Sequence, residues 1–409
     1  MATNCSHVRS GAAPATATNA RAWTASTGSA SATRSRLWRA RWRMEEARVR
    51  PREERARAVV DLARVRRVLV VRHRAAGDLL LTTPALRALR AGLPSASIDV
   101  LTARETGALL RGSPDVDRVL EIDRRSLASQ ASRYVDLIRG RYDLVLDMVS
   151  NPRSAFMTAL TRAPVRVGYD LAGRRYAYTI RIPREPLGPG GPQVRYAPEA
   201  SLDLVRAIGI APRGLELTLA VPTEAHRTID EWLRRSGLGA RALVACLPSG
   251  TWPTKTWLPE RFAEVMDRLH GDADILWMWG PGEEPLAREC RGRMRNPSTV
   301  APATGWQELA ALIARCALLV SNDSGPKHLA VALGVPTVTV FGPTHPGAWQ
   351  PPAGPHAAIE AAALECLHCN QTVCPLPGDR YMRCMKDVTA AMVIEACRAR
   401  LRDRVGSVA

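Results

Sequence analysis

Residues 321–346, SNDSGPKHLAVALGVPTVTVFGPTHP, set an acid, a hydroxyl and a glycine just ahead of Lys327 and His328, between two apolar runs. Asp323-Ser324-Gly325 would present backbone N–H groups and a hydroxyl where a strand ends and a helix over 325–333 begins. Such a turn accepts an anion. Lys327 and His328 would then lie in the first helical turn. Cations there oppose the helix dipole, and a bound anion such as a diphosphate removes the conflict.

Three more strand-to-loop junctions carry residues suited to the same chemistry. In RHRAAGDLLLTTPAL (72–86), Ala75, Ala76 and Gly77 allow a tight turn and Asp78 stands at a helix start. A carboxylate there serves either as a helix N-cap or as a general base at the mouth of a cleft. In LPSGTWPTKTWLPERFAEV (247–265), Lys255 precedes a helix opening at Pro259. Only three of the chain's 57 basic residues are lysines, so one here suggests a point charge for a phosphate oxygen, against the plainer reading of a solvated loop lysine. Trp252 and Trp257 read as packing residues. In WGPGEEPLA (279–287), Gly280 and Gly282 begin a G-x-G-x-x-G pattern that Pro285 interrupts, which disfavours a nicotinamide or flavin enzyme. Glu283 or Glu284 suits a ribose hydroxyl pair, although acids are common in any first turn.

Cys366, Cys369, Cys374 and Cys384 follow a C-x2-C-x4-C-x9-C spacing, with His368 inside it. The spacing admits a tetrahedral zinc site of four thiolates, His368 being a replacement ligand, or four reduced structural thiols.

These junctions need elements to hold them. Apolar runs at 68–72, 97–102, 118–122, 142–148 and 165–169 alternate with helical patterns at 79–91, 104–111, 127–139 and 198–208. A second alternation follows: strands at 242–248, 274–280, 317–322 and 337–342, with helices at 224–235, 259–269, 283–294, 306–315, 325–333 and 390–403. Strands and helices alternating at these lengths mean βαβ units and a parallel sheet covered on both faces. The class is α/β, with two Rossmann-like halves whose ligands sit at the carboxyl ends of the strands. The loop EPLGPGGPQ (185–193) reads as a mobile element beside the substrate or as an ordinary connector.

Composition bounds the function. The net charge of +18 is uneven: residues 1–66 hold fourteen Arg against five acids, half the total. That segment lacks aliphatic periodicity and is expected to be disordered. It is Arg- and Ser-rich like a transit peptide, but Met44 is read as the true start of translation. No apolar run approaches 18 residues and no secretory signal is visible, so the expected compartment is cytoplasmic and reducing, with membrane contact peripheral. The residual +9 of 67–409 suits acidic substrates or an anionic membrane surface.

With these residues in place, the chain resembles the lipopolysaccharide heptosyltransferases of glycosyltransferase family 9. GDLLLTTPALRALR, GTWPTKTWLPERFAE, SNDSGPKHLAVALGVPTVTVFGPT and CLHCNQTVCP…CM carry the likeness, which covers about 67–405. It implies a GT-B fold, two Rossmann-like domains facing across a cleft: 67–222 for the acceptor and 223–386, with the cysteines, for the nucleotide sugar, then a C-terminal helix in 387–409. It implies an inverting transfer, most simply of heptose from ADP-heptose, onto a lipopolysaccharide-core-like or other envelope glycolipid at the inner leaflet. Asp78 would be the base. Lys255, Ser324 and Gly325 would meet the diphosphate, His328 would match the phosphate-binding histidine and Asp323 the acid of the same motif, with no cofactor required. Arg153, Arg174 and Arg175 fall on the acceptor side. A transferase using a UDP- or GDP-sugar is the enzymatic alternative. A basic nucleic-acid-binding protein is disfavoured, because the charge is concentrated in the tail and no motif with interleaved aromatics accompanies it.

Overall fold

The carboxyl ends of two parallel sheets frame the molecule. The structure is a computed structural model and describes residues 60–73, 75–185, 187, 188 and 191–406. The basic segment up to residue 59, including Met44, lies outside the described residues. Strands β1 (Arg67–Val71), β2 (Ser97–Ala103), β3 (Arg118–Ile122), β4 (Leu144–Asp147), β5 (Val165–Tyr169) and β6 (Ile180–Ile182) form one sheet in the order 3-2-1-4-5-6. A short antiparallel pair, β7 (Leu187–Gly188) and β8 (Gly191–Pro192), occupies the Pro/Gly loop. The second sheet, β9 (Leu243–Leu247), β10 (Asp274–Trp277), β11 (Thr299–Val300), β12 (Leu318–Asn322), β13 (Thr337–Val340) and β14 (His356–Ile359), repeats the order as 11-10-9-12-13-14. Both orders reverse beside their first strand, β1 and β9, the position where such folds bind ligands.

The strands are apolar on both faces because helices cover both faces. On β1, Val68 and Val70 face one cluster and Leu69 and Val71 another; on β9, Leu243, Ala245 and Leu247 alternate with Val244 and Cys246 in the same way. One of these clusters runs without interruption from the inner face of the first sheet to the inner face of the second.

The helix expected over 79–91 is two helices, α1 (Ala76–Leu80) and α2 (Thr83–Gly92). Pro84 has no N–H to give to the carbonyl of Leu80, and Thr83 Oγ1 donates to it instead at 2.7 Å. Residues 104–111 hold only a 3-10 turn, Gly107–Leu110. The remaining long helices are α3 (Leu127–Arg139), α4 (Pro152–Leu160), α5 (Pro198–Arg206), α6 (Thr223–Arg235), α7 (Pro259–Leu269), α8 (Glu284–Gly292) and α9 (Trp306–Ala314). Then come three short ones, α10 (Lys327–Ala332), α11 (Pro346–Trp349) and α12 (Arg383–Lys386), and finally α13 (Ala390–Gly406). The sequence reading passed over α4, which a reciprocal Asn151–Ser154 capping box opens, and over the short strands β6, β11 and β14. No helix among the described residues is long and apolar enough to cross a membrane.

Candidate active site

Asp323 follows directly after β12 as a buried carboxylate, and three groups converge on it. Lys255 Nζ donates to Oδ2 at 2.8 Å, Thr344 Oγ1 to the same oxygen at 2.8 Å, and Lys327 Nζ to Oδ1 at 3.0 Å. Burial alone would raise this carboxyl, but the charges of Lys327 and Lys255 outweigh it and hold Asp323 well below the usual carboxylate range. Lys327 is wholly buried: its ammonium also donates to the carbonyl of Trp349 at 2.8 Å and lies 4.9 Å from the centre of the Phe341 ring. Burial, opposed by Asp323, pulls its pKa down.

This corrects the expectation for the first turn of 325–333. Lys327 points inward to Asp323 rather than to an anion, and the helix spans only Lys327–Ala332. His328 is not a cation: burial, then the neighbouring Lys327, pushes its pKa well below the ordinary histidine value, so the ring is neutral. Two polar atoms here have no protein partner although both residues are buried, Ser324 Oγ and His328 Nδ1.

The loop carrying Lys255 is fixed from several sides. Asn322 Nδ2 donates to the Pro248 carbonyl at 2.6 Å and its Oδ1 accepts from Trp257 N at 3.0 Å. Trp257 is buried edge-on against Phe262, with ring centroids 4.9 Å apart. Thr254 Oγ1 donates to the Gln371 carbonyl at 2.7 Å. Trp252, read from sequence as packing, lies beneath the Lys255 ammonium, 4.5 Å from ring centroid to Nζ. Glu283 ties two strand ends together, accepting from Ser249 Oγ at 2.6 Å and Gly280 N at 2.9 Å. Glu284 instead pairs with Arg288 one turn along α8.

Across from this loop stands α1. Ala75 precedes it with φ of 33°, in the left-handed region, so the chain turns sharply off β1. Asp78 is partly exposed, with Arg72 Nη2 3.3 Å from Oδ1 and Arg72 Nε 3.3 Å from its carbonyl; the same guanidinium also donates to the Met148 carbonyl. Arg72 was overlooked in the sequence, although its place as the residue after β1 was a usable signal. Gly77 brings the halves together. A Cβ placed on it would lie 2.9 Å from His328 Cδ2 and 3.1 Å from Gly325 Cα. Asp78 is therefore one residue from contact with the 323–328 turn.

The four clustered cysteines do not form the zinc set that their spacing suggested. Among the described residues no three His, Cys, Asp or Glu side chains gather as a metal-holding group. His368, the replacement ligand, is committed to Glu360 at 2.8 Å. Burial pushes the Cys384 thiol up to about 11, with Cys369, Cys366 and Cys374 adding to the rise. The segment braces the site: the His368 and Asn370 amides donate to the carbonyls of Gly342 and Pro343, beside Thr344. An apolar cavity of about 1500 Å³, bordered by Leu243, Ala317 and Arg315, opens at the other, amino-terminal end of the second sheet and contains none of these residues.

With the geometry established, comparison with known proteins gives the class. The sequence profile of glycosyltransferase family 9 (heptosyltransferase) matches residues 133–378, more than half of the 409-residue chain. The chain belongs to glycosyltransferase family 9. It is similar to lipopolysaccharide heptosyltransferase 3 of Escherichia coli, 27% identical over 293 residues that cover 67% of this chain and 83% of that protein. Its fold is shared with the family 9 glycosyltransferase of Veillonella parvula at a TM-score of 0.71 and 22% identity, covering 83% of this chain and 97% of that one. The fold of the E. coli heptosyltransferase WaaC with ADP matches at a TM-score of 0.63 and 23% identity, covering 82% and 99%. This family 9 enzyme is thus a glycosyltransferase of GT-B-like fold, as its motifs led one to expect.

Proposed function

We propose that this chain moves heptose from ADP-heptose onto an anionic envelope glycolipid of the lipopolysaccharide-core type, inverting the anomeric carbon. The observation that carries the reading is the approach of Gly77 to Gly325 and His328, which puts a carboxylate beside a turn with two unpartnered polar groups.

In this reading the diphosphate lies against Ser324, Gly325 and the neutral His328, and Lys255 offers it a positive charge. The bond from the sugar C1 to the diphosphate oxygen breaks as the acceptor oxygen forms a new one to C1 from the opposite face. Asp78 takes the acceptor proton, held in place by Arg72. ADP leaves with one more negative charge than it carried within the donor, and Lys255 with the hydrogen-bond donors of the turn stabilises that charge as it grows. Asp323 acts through the lysines, and Glu283, where β9 and β10 end, is the acid better situated than Glu284 for the ribose.

Arg153 Nε and Nη2 and Arg174 Nε are buried without a hydrogen-bond partner, while Arg175 is committed to Asp170. Arg153 follows β4, the strand paired with β1, so it sits on the same sheet edge as Asp78 and suits a negatively charged acceptor. An acceptor anchored in a membrane places the enzyme at the cytoplasmic face of that membrane as a peripheral protein.

The test is thermal stabilisation by ADP, UDP and GDP, beside a Lys255→Ala, Asp323→Ala control. An ADP-selective rise lost in the control supports the reading. A preference for UDP or GDP keeps the mechanism and replaces the donor, and no shift with any nucleotide removes the proposal.

A further inference from the structure

Lys327 is one of only three lysines in the chain and is completely buried. A buried ammonium is costly, and a fold keeps one where it has a partner. Here the partner is Asp323, which Lys255 also binds. The carboxylate carries one negative charge and the two lysines carry two positive ones, while His328 is neutral. The cluster therefore holds a net charge of +1 facing the orphaned Ser324 Oγ and His328 Nδ1.

We propose that Lys327 is a positioning residue that makes the donor pocket cationic: by taking Oδ1 of Asp323 it leaves the charge of Lys255, on Oδ2, available to a bound diphosphate. Without Lys327, Asp323 and Lys255 would form a closed neutral pair and the pocket would have no uncompensated charge. Lys327 touches no ligand itself. Its ammonium is enclosed by Asp323, the Trp349 carbonyl and the Phe341 ring. This inference rests on the diphosphate reading of the site.

The experiment titrates ADP calorimetrically into four full-length proteins: wild type, Lys327→Met, Asp323→Asn, and the double variant Asp323→Asn, Lys327→Met. ADP is used so that any contact from Asp323 to the donor sugar does not enter. Lys327→Met is expected to weaken ADP binding about tenfold or more. The double variant removes both buried charges, leaves Lys255 at +1, and is expected to bind ADP within about threefold of wild type.

Because removing both partners of a buried ion pair also restores folding, each variant is titrated well below its own unfolding midpoint, so that a change in ADP affinity reports charge and not stability. A double variant as weak as Lys327→Met overturns the proposal, as does Lys327→Met binding like wild type. Should Lys327→Met fail to fold, the double variant decides alone, because it buries no unpaired charge: near-wild-type binding supports the proposal and loss of binding sinks it. Wild type failing to bind ADP removes the diphosphate reading and this inference with it, whereas a failure confined to the variants leaves the reading standing.

Discussion

Asp78 and Lys255 divide the proposed chemistry between proton removal and charge stabilisation, and their losses should differ. Asp78→Asn keeps the shape and the Arg72 contacts but cannot take a proton. It should lower kcat by roughly 10² to 10⁴ while ADP affinity stays unchanged, read by steady-state kinetics beside calorimetry. A weakened ADP affinity would mean that Asp78 belongs to the nucleotide site instead. The histidines give a prediction in pH. Burial lowers the pKa of His356 to about 4, and that of His328 falls well below its ordinary value. On acidification the unfolded chain then binds protons before the folded one does. The stability that His356 contributes is complete above about 6.5 and is lost as pH falls from there through about 4. Melting temperature should drop across that window, and His356→Asn should drop less steeply. An equal slope would show that His356 is not the group responsible.

At the scale of elements, the contact that matters joins α1 to the turn before α10. A helix would ordinarily prefer alanine to glycine, yet Gly77 faces Gly325 with no room for a methyl group. Gly77→Ala should push the turn and Asp78 apart and lower kcat/KM about tenfold or more, since small displacements at a reacting centre are costly. Over-packing should also lower the melting temperature, by the equivalent of about 1–3 kcal/mol. A variant with unchanged kcat/KM would show that this approach is not required in turnover. Behind α1, the turn after β4 is fixed by Asp147, whose carboxylate accepts from the amides of Val149 and Ser150 and from Tyr178 Oη. That turn carries the Met148 carbonyl to which Arg72 donates, so a buried acid in one loop sets the guanidinium that holds Asp78 in another.

Across the whole molecule, the halves are held by a continuous apolar cluster and by a few polar bonds. Trp306 Nε1 donates to the Glu105 carbonyl at 2.6 Å, and the Ala197 amide donates to the Ala348 carbonyl at 2.9 Å. The first joins α9 to the loop after β2, and the second joins the start of α5 to α11. Trp306→Phe keeps a smaller aromatic ring and removes the donor, at an expected cost of at least about 1 kcal/mol in urea unfolding. The donor KM should rise with kcat retained, because the halves open more readily. Unchanged unfolding would mean that the apolar cluster alone holds the seam.

The sequence by itself determined the α/β alternation, the family motifs and the four junctions that meet at the cleft, because apolar period, glycine turns and strand-end acids are local properties. Short edge strands such as β6 and β14 escaped it, since three or four half-buried residues have no distinctive period. Only the tertiary structure decided what the charged residues face. Lys327 and Lys255 are 72 positions apart in the sequence, and nothing local says that one carboxylate takes both. The segment whose spacing suggested zinc instead turns its His368 and Asn370 amides to the carbonyls of Gly342 and Pro343. Charge identity is written residue by residue, but charge pairing depends on which strand ends the fold brings within a few ångströms, and burial then decides which charges remain for a ligand.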